Sequence, residues 1–318
     1  MTPTSFGKGD PTLKMALEKA VGEVVYSPVE RPLTSVELLP LVRDVDGYIA
    51  GLDYIDQAVI QSARRLRVIA RYGVGFDRVD VPAATARGIV VTNTPGANST
   101  AVAELSIGLM LALGRSICLA DRATRRGEWP RYPGIGLRGK IVGLVGFGAV
   151  GREVASRLMA FGCRILVSDP QISYEVAKAA GVELVRLEEL LALSDFVSLH
   201  ASLNPESERM VDRAFLAAMK RGAFLVNTAR GELIMESALK DAIEKGHLRG
   251  AALDCFTQEP PRTDHPFFGM DQVLVTPHMA SHTDEAVDAM GRMSLQACLA
   301  ALRGERYPHT VNPEVYNR

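Results

Sequence analysis

The chain has 318 residues but only four cysteines and a single tryptophan. Cys118, Cys163, Cys255 and Cys298 lie far apart with no CxxC pair. That spacing excludes a zinc-finger ligand set and a disulfide framework, so no metal is expected and a reducing, cytoplasmic setting fits. A basic excess is also missing, because 36 Lys and Arg face 37 Asp and Glu for a net charge of -1. Nucleic acid is therefore not an expected partner. No uncharged apolar run approaches the roughly 18 residues needed to cross a bilayer. The opening stretch MTPTSFGKGDPTLK has no signal-peptide core. No membrane partner is expected either. What remains is ordinary globular composition, 47% hydrophobic and 23% charged. At roughly 150 residues per domain, the length suggests two domains.

Short apolar runs alternate with helical stretches almost throughout. In the first third, strands are expected at 23–26, 47–50, 68–71 and 89–92, with helices at 35–42, 55–62 and 81–86. Thr34 and Glu37 have capping-box spacing for the first of those helices. Residues 99–115 read as one long helix, apolar on most faces and so expected to be buried between domains or at a subunit contact. An arginine-rich arm follows. A second series of strands is expected at 141–145, 164–168, 195–199, 223–227, 251–253 and 273–275. Helices at 150–161, 187–193, 213–219 and 236–245 lie among them, and a last helix at 284–303. Alternation of this kind implies parallel sheets with right-handed crossovers.

The sharpest local motif is GFGAVG, with Gly146, Gly148 and Gly151 in G-x-G-x-x-G spacing around Phe147, Ala149 and Val150. It follows an apolar strand, opens a helix, and leads to a second strand that ends at Asp169. In a dinucleotide-binding turn the first glycine permits the tight bend. The second lets backbone approach a pyrophosphate, and the third lets helix and strand pack. The helix N-terminus then offers free N–H groups to the phosphates. Asp169 stands where an acid would accept the ribose hydroxyls and repel a 2′-phosphate, which favours NAD over NADP.

Ligands of parallel α/β sheets bind beyond the carboxyl ends of the strands. The polar residues expected there are His200, Asn227 with Arg230, Asp254 and His278, with Glu259 nearby and the loop from Arg71 to Gly75. Interconverting an alcohol and a ketone needs a proton carrier, which histidine suits, and a nearby carboxylate would orient its ring. An arginine can hold a substrate carboxylate through two parallel hydrogen bonds and polarise the adjacent carbonyl. Singly, each residue has a plainer explanation as a cap or surface charge. His282 competes with His278, and spacing alone does not show that the three converge.

Six ordered stretches, ARYGVGFDRVD, NTPGANSTAVAE, GFGAVG, LVNTARGELI, ALDCFTQEPP and TPHMASHTDEA, span nearly the whole chain. Through them it resembles the D-isomer-specific 2-hydroxyacid dehydrogenase family. The resemblance implies an NAD-dependent oxidoreductase acting on a small 2-hydroxy or 2-oxo acid, of the phosphoglycerate dehydrogenase or hydroxypyruvate/glyoxylate reductase type. It puts substrate binding and polarisation on Arg230, the acid/base pair on Glu259 and His278, and substrate-carboxylate amides on Val74 and Gly75. Thr228, Ala229, Asp254 and His200 fall near the cofactor. The implied fold is α/β with two doubly wound parallel-sheet domains. A Rossmann NAD domain, residues 99–283, is inserted in a flavodoxin-like substrate domain of residues 1–98 and 284–318. A homodimer built on 99–139 is also implied. Against the family pattern, Ala149 replaces a basic residue, Ser202 replaces a proline, and TSFG is too short for a first strand. The sheet edge of the substrate domain is therefore expected to be reduced. The competing reading from another class is a dinucleotide-sensing binding protein, like corepressors that share the fold.

Overall fold

The computed structural model describes residues 1–317. Two compact units emerge, Met1–Asn98 with Ser281–Arg318, and Ser99–Ala280. In the first, β1 (Gly47–Ala50), β2 (Val68–Arg71) and β3 (Val90–Thr92) form a parallel sheet in that order. Side chains alternate across it. Tyr48 and Ala50 join Leu38, Val59 and Ile60 on one face, whereas Ile49 and Val68 join Phe6, Leu17 and Leu295 on the other. Burial on both faces is what lets a parallel strand be apolar throughout. Helices Ser35–Val42 and Gln57–Ser62 supply one of these layers, and Thr12–Ala20 and Asp284–Leu302 the other. The capping box forms, with Thr34 accepting from the Glu37 amide and the Glu37 carboxylate accepting from the Thr34 amide.

Residues 23–26, expected as a strand, are not one. Val25 and Tyr26 are about 40% exposed, so the apolar run is not packed into the sheet. Its neighbour is Met1, whose nitrogen donates to the Val25 carbonyl at 2.7 Å, rather than another strand.

The second unit holds β4 (Ile141–Val145), β5 (Arg164–Ser168), β6 (Glu183–Leu184), β7 (Phe196–Leu199), β8 (Phe224–Asn227), β9 (Gly250–Leu253) and β10 (Val273–Val275). They pair in parallel in the order β10-β9-β8-β7-β4-β5-β6. Succession runs outward from β4 in both directions, so the crevice at the ends of β4 and β7 is the switch point where such sheets take ligands. The two-residue β6 is too short to show alternation and escaped the sequence pattern. Helix Ser99–Gly114 is largely buried, as expected. It packs within its own unit on helix Ala149–Ala160 and on β8 and β9, burying Ala103, Ile107 and Met110 beside Val154 and Leu158. A further helix, Ile117–Arg125, precedes an irregular arm in which Trp129 is 81% exposed.

Candidate active site

The glycine turn follows β4 directly. Gly146 has φ +95, and a Cβ there would fall 2.7 Å from the His200 carbonyl carbon and the Ala201 amide at the end of β7. At Gly151 a Cβ would meet the Gly146 carbonyl oxygen at 2.5 Å, so this glycine closes helix onto turn. Gly148 is different: nothing lies within 4 Å of its added Cβ. It caps helix Ala149–Ala160, where the backbone from Ala149 and Val150 onward carries the helix's unsatisfied first-turn amides. Asp169 follows β5 and reaches back to the turn, accepting from the Phe147 amide at 2.7 Å and the Gln171 amide at 2.7 Å. His200 follows β7 with a buried Nε2 that has no partner among the described residues. Burial pushes its pKa down to about 4, so the ring is neutral. Open backbone at Gly148, a carboxylate fixed at the turn and an unsatisfied ring nitrogen together suit a dinucleotide.

Three adjacent strands bring the candidate reacting groups together. Neighbouring strands lie only about 4.8 Å apart, so residues just past β8, β9 and β10 are neighbours. After β8, the Asn227 side chain braces the turn, donating to the Arg230 carbonyl at 2.7 Å and accepting from the Ala229 amide at 3.0 Å. Thr228 meets the Ser106 hydroxyl at 2.7 Å. After β9, Asp254 is fully buried. Its carboxylate accepts from the Thr276 hydroxyl at 2.6 Å and from the amides of Met279 and Ala280, both at 2.9 Å. Asp254, expected near the cofactor, thus spends its oxygens on tying down the loop that carries His278.

His278 itself sits in the left-handed region, φ +50. Its amide donates to the Asp254 carbonyl at 2.8 Å. The ring Nδ1 contacts both Glu259 oxygens, at 2.8 and 2.9 Å. Glu259 is held in turn by the Phe256 amide at 3.1 Å, and its side chain is only 8% exposed. With Nδ1 engaged by the carboxylate, Nε2 is the nitrogen left for a reacting group.

Two residues in this cluster went unread in the sequence. Gly231, next to Arg230, lies so close to the Glu259 loop that a Cβ would be 2.0 Å from the Phe256 carbonyl carbon. Cys255 brings its sulfur within 4.8 Å of the Glu259 and His278 ligand atoms. Burial pushes that thiol well above its ordinary range. A glycine after the arginine was the one available signal, and only the packing gives it meaning. His282, the rival histidine, belongs to the other compact unit.

In the first unit, the Arg71 guanidinium donates to the Gly75 carbonyl at 3.0 Å and the Asn93 amide group to the Val74 carbonyl at 2.8 Å. Both carbonyls are thus engaged by side chains of their own unit. The Val74 and Gly75 amides carry no hydrogen bond among the described residues, so they remain available to an anion.

Residues 107–280 match the family model described as D-isomer specific 2-hydroxyacid dehydrogenase, NAD binding domain. The chain is 43% identical over 298 residues to D-3-phosphoglycerate dehydrogenase of Methanocaldococcus jannaschii, covering 92% of this chain and 57% of that protein. It is 40% identical over 314 residues to glyoxylate reductase of Thermofilum pendens, covering 96% and 92%. Among solved structures, the TT0316 protein of Thermus thermophilus aligns with a TM-score of 0.86 and 38% identity over 98% of each chain. The chain thus spans little more than half the length of the first relative and most of the second.

Proposed function

The chain belongs to the D-isomer specific 2-hydroxyacid dehydrogenase family, and on that premise we propose that it interconverts a small D-2-hydroxyacid and its 2-oxoacid with NAD. The observation that carries this reading is the two-oxygen contact of Glu259 with His278 Nδ1, beside the turn that bears Arg230. The compact unit of residues 99–280 serves as the NAD domain, and that of residues 1–98 with 281–318 as the substrate domain. Gly146 to Gly151, Asp169, His200, Thr228, Ala229 and Asp254 hold or border the dinucleotide, which when bound accepts or supplies the hydride.

The remaining chemistry falls to the protein. Val74 and Gly75 donate their amides to the substrate carboxylate, while the Arg230 guanidinium binds the carboxylate and polarises the carbonyl. His278 Nε2 gives a proton to the forming alkoxide in reduction and takes one from the hydroxyl in oxidation. Glu259 orients the ring and balances the imidazolium charge. The exposed arm around Trp129 supports a homodimer. Unpaired cysteines support a reducing, cytoplasmic location.

A panel of glyoxylate, hydroxypyruvate, phosphohydroxypyruvate, pyruvate and phenylpyruvate, assayed by cofactor oxidation with NADH and NADPH, tests the proposal. At least one acid is reduced to its D-hydroxy product, with NADH preferred. NADH binding with no turnover on any of them would instead favour a cofactor-sensing binding protein.

A further inference from the structure

Cys255 has no part in the proton transfer, yet it stands against the pair that performs it. Its sulfur, a Glu259 oxygen and a His278 ring nitrogen all lie within 4.8 Å of one another. Among the described residues, no other group of His, Cys, Asp or Glu side chains converges in this way. Two of the donors come from the loop after β9 and the third from the turn after β10. Cysteine spacing along the chain therefore gave no reason to expect a metal.

The chain on either side of the sulfur is fixed from outside the cluster. Asp254 is bonded to Thr276, His278, Met279 and Ala280. Phe256 donates its amide to Glu259 and packs edge-on against the rings of His265 and Phe268. The thiol itself donates to the Ala229 carbonyl at 3.4 Å. His278 Nδ1 lies 2.8 Å from Glu259 Oε1, so it is the ring nitrogen placed to share a cation with that carboxylate. Zinc bonds of about 2.0–2.3 Å in tetrahedral geometry put ligand atoms roughly 3.3–3.8 Å apart. The Glu259–Nδ1 contact would open, and the sulfur would close in, by about 1 Å at most to reach that spacing.

We propose that Cys255, Glu259 and His278 form a site for one thiophilic divalent cation of the zinc class, which stops proton transfer when bound. The donor set selects this class, since thiolate and imidazole suit zinc and cadmium whereas magnesium and calcium take oxygen ligands. Charge balances too. One thiolate and one carboxylate neutralise a doubly charged cation, where an uncompensated buried charge would be costly. Cys255 is 2% exposed and the His278 side chain 21%, so the cation enters past the ring. As the sulfur–metal bond forms, the thiol proton leaves to solvent. The Nδ1 hydrogen gives way to the metal and passes through solvent to Nε2, leaving a neutral ring. That Nε2 has no lone pair to take a proton, and giving its own away would leave an imidazolate. The site stands on the donor geometry, and the loss of turnover rests on the acid/base role proposed for His278.

Cadmium titration of the full chain tests the site without requiring turnover, because a cadmium–thiolate bond adds ultraviolet absorption. The parent should show one more such bond per chain than Cys255→Ala or Cys255→Ser, which account for the remaining cysteines. NADH binding by both variants checks that they fold. In the reductase assay, saturating zinc should lower the parent's turnover by about 100-fold, the lower range for losing a positioned acid/base. A chelator should restore it, and magnesium should leave it unchanged. In Cys255→Ala, the zinc concentration that halves its own metal-free rate should rise at least about tenfold, as loss of even an outer partner of a ligand does. Equal cadmium absorption in parent and variants would overturn the site. Cadmium bound at Cys255 with zinc leaving turnover unchanged would overturn its inhibitory role. A parent that reduces no acid fails the acid/base reading alone, and the absorption still decides the site.

Discussion

His278 shows how much local structure the proposed proton carrier requires. A left-handed backbone is unfavourable for a side chain of this size. Asp254 maintains it through its carbonyl to the His278 amide, while its carboxylate holds Thr276, Met279 and Ala280. His278→Ala should lower turnover about 100-fold to 10,000-fold, the range for a positioned acid/base. NADH binding, measured by fluorescence, should persist because the nucleotide turn lies after β4. Arg230→Lys retains the charge but loses the planar fork. A fall in kcat/KM of about 100-fold or more is expected, again with NADH affinity near the parent's. His200 makes a separate prediction about pH. Its folded pKa of about 4 lies below the ordinary 6.5, so the unfolded chain binds a proton that the folded chain does not. Stability should fall as pH drops from about 6.5 to about 4 and level off below. Chemical denaturation of His200→Gln should show a flatter profile across that window.

At the scale of elements, the site depends on close approaches between turns. The turn after β8 and the loop after β9 touch at Gly231, where no side chain fits against the Phe256 backbone. Gly231→Ala should separate Arg230 from the Glu259 loop and cost about 1–3 kcal/mol in stability, as overpacking does. kcat should fall more than NADH affinity, which paired turnover and binding measurements would reveal. Much of this layer was legible in the sequence. The runs around β4, β5, β7 and β8 are apolar, end at glycine or polar residues, and alternate with helical stretches, so period and length agree. Residues 23–26 have the same composition, yet form no strand because the sheet does not receive them. Helix Ser99–Gly114 was legible as buried, but its partners are the layers of its own unit.

For the whole molecule, the remaining prediction concerns association. Trp129 is 81% exposed in an irregular arm, and a large aromatic in such a position suits a subunit contact. Sedimentation equilibrium should report a dimer, and Trp129→Ala should shift it toward monomer at micromolar concentration. A monomeric parent would refute the dimer.

The sequence by itself determined the alternation of strands and helices, the glycine turn with its carboxylate at Asp169, and the residue types available for proton transfer and anion binding. These follow from local pattern, since periodicity and turn chemistry act over a few neighbouring residues. Local pattern did not show which histidine meets Glu259. Glu259 and His278 are 19 residues apart, and they meet only because β9 and β10 pair in parallel and end side by side. Nor did it reveal that Asp254 would anchor the histidine loop or that Gly231 would be a contact point. Those outcomes depend on which strands become neighbours, and strand order is a property of the folded sheet.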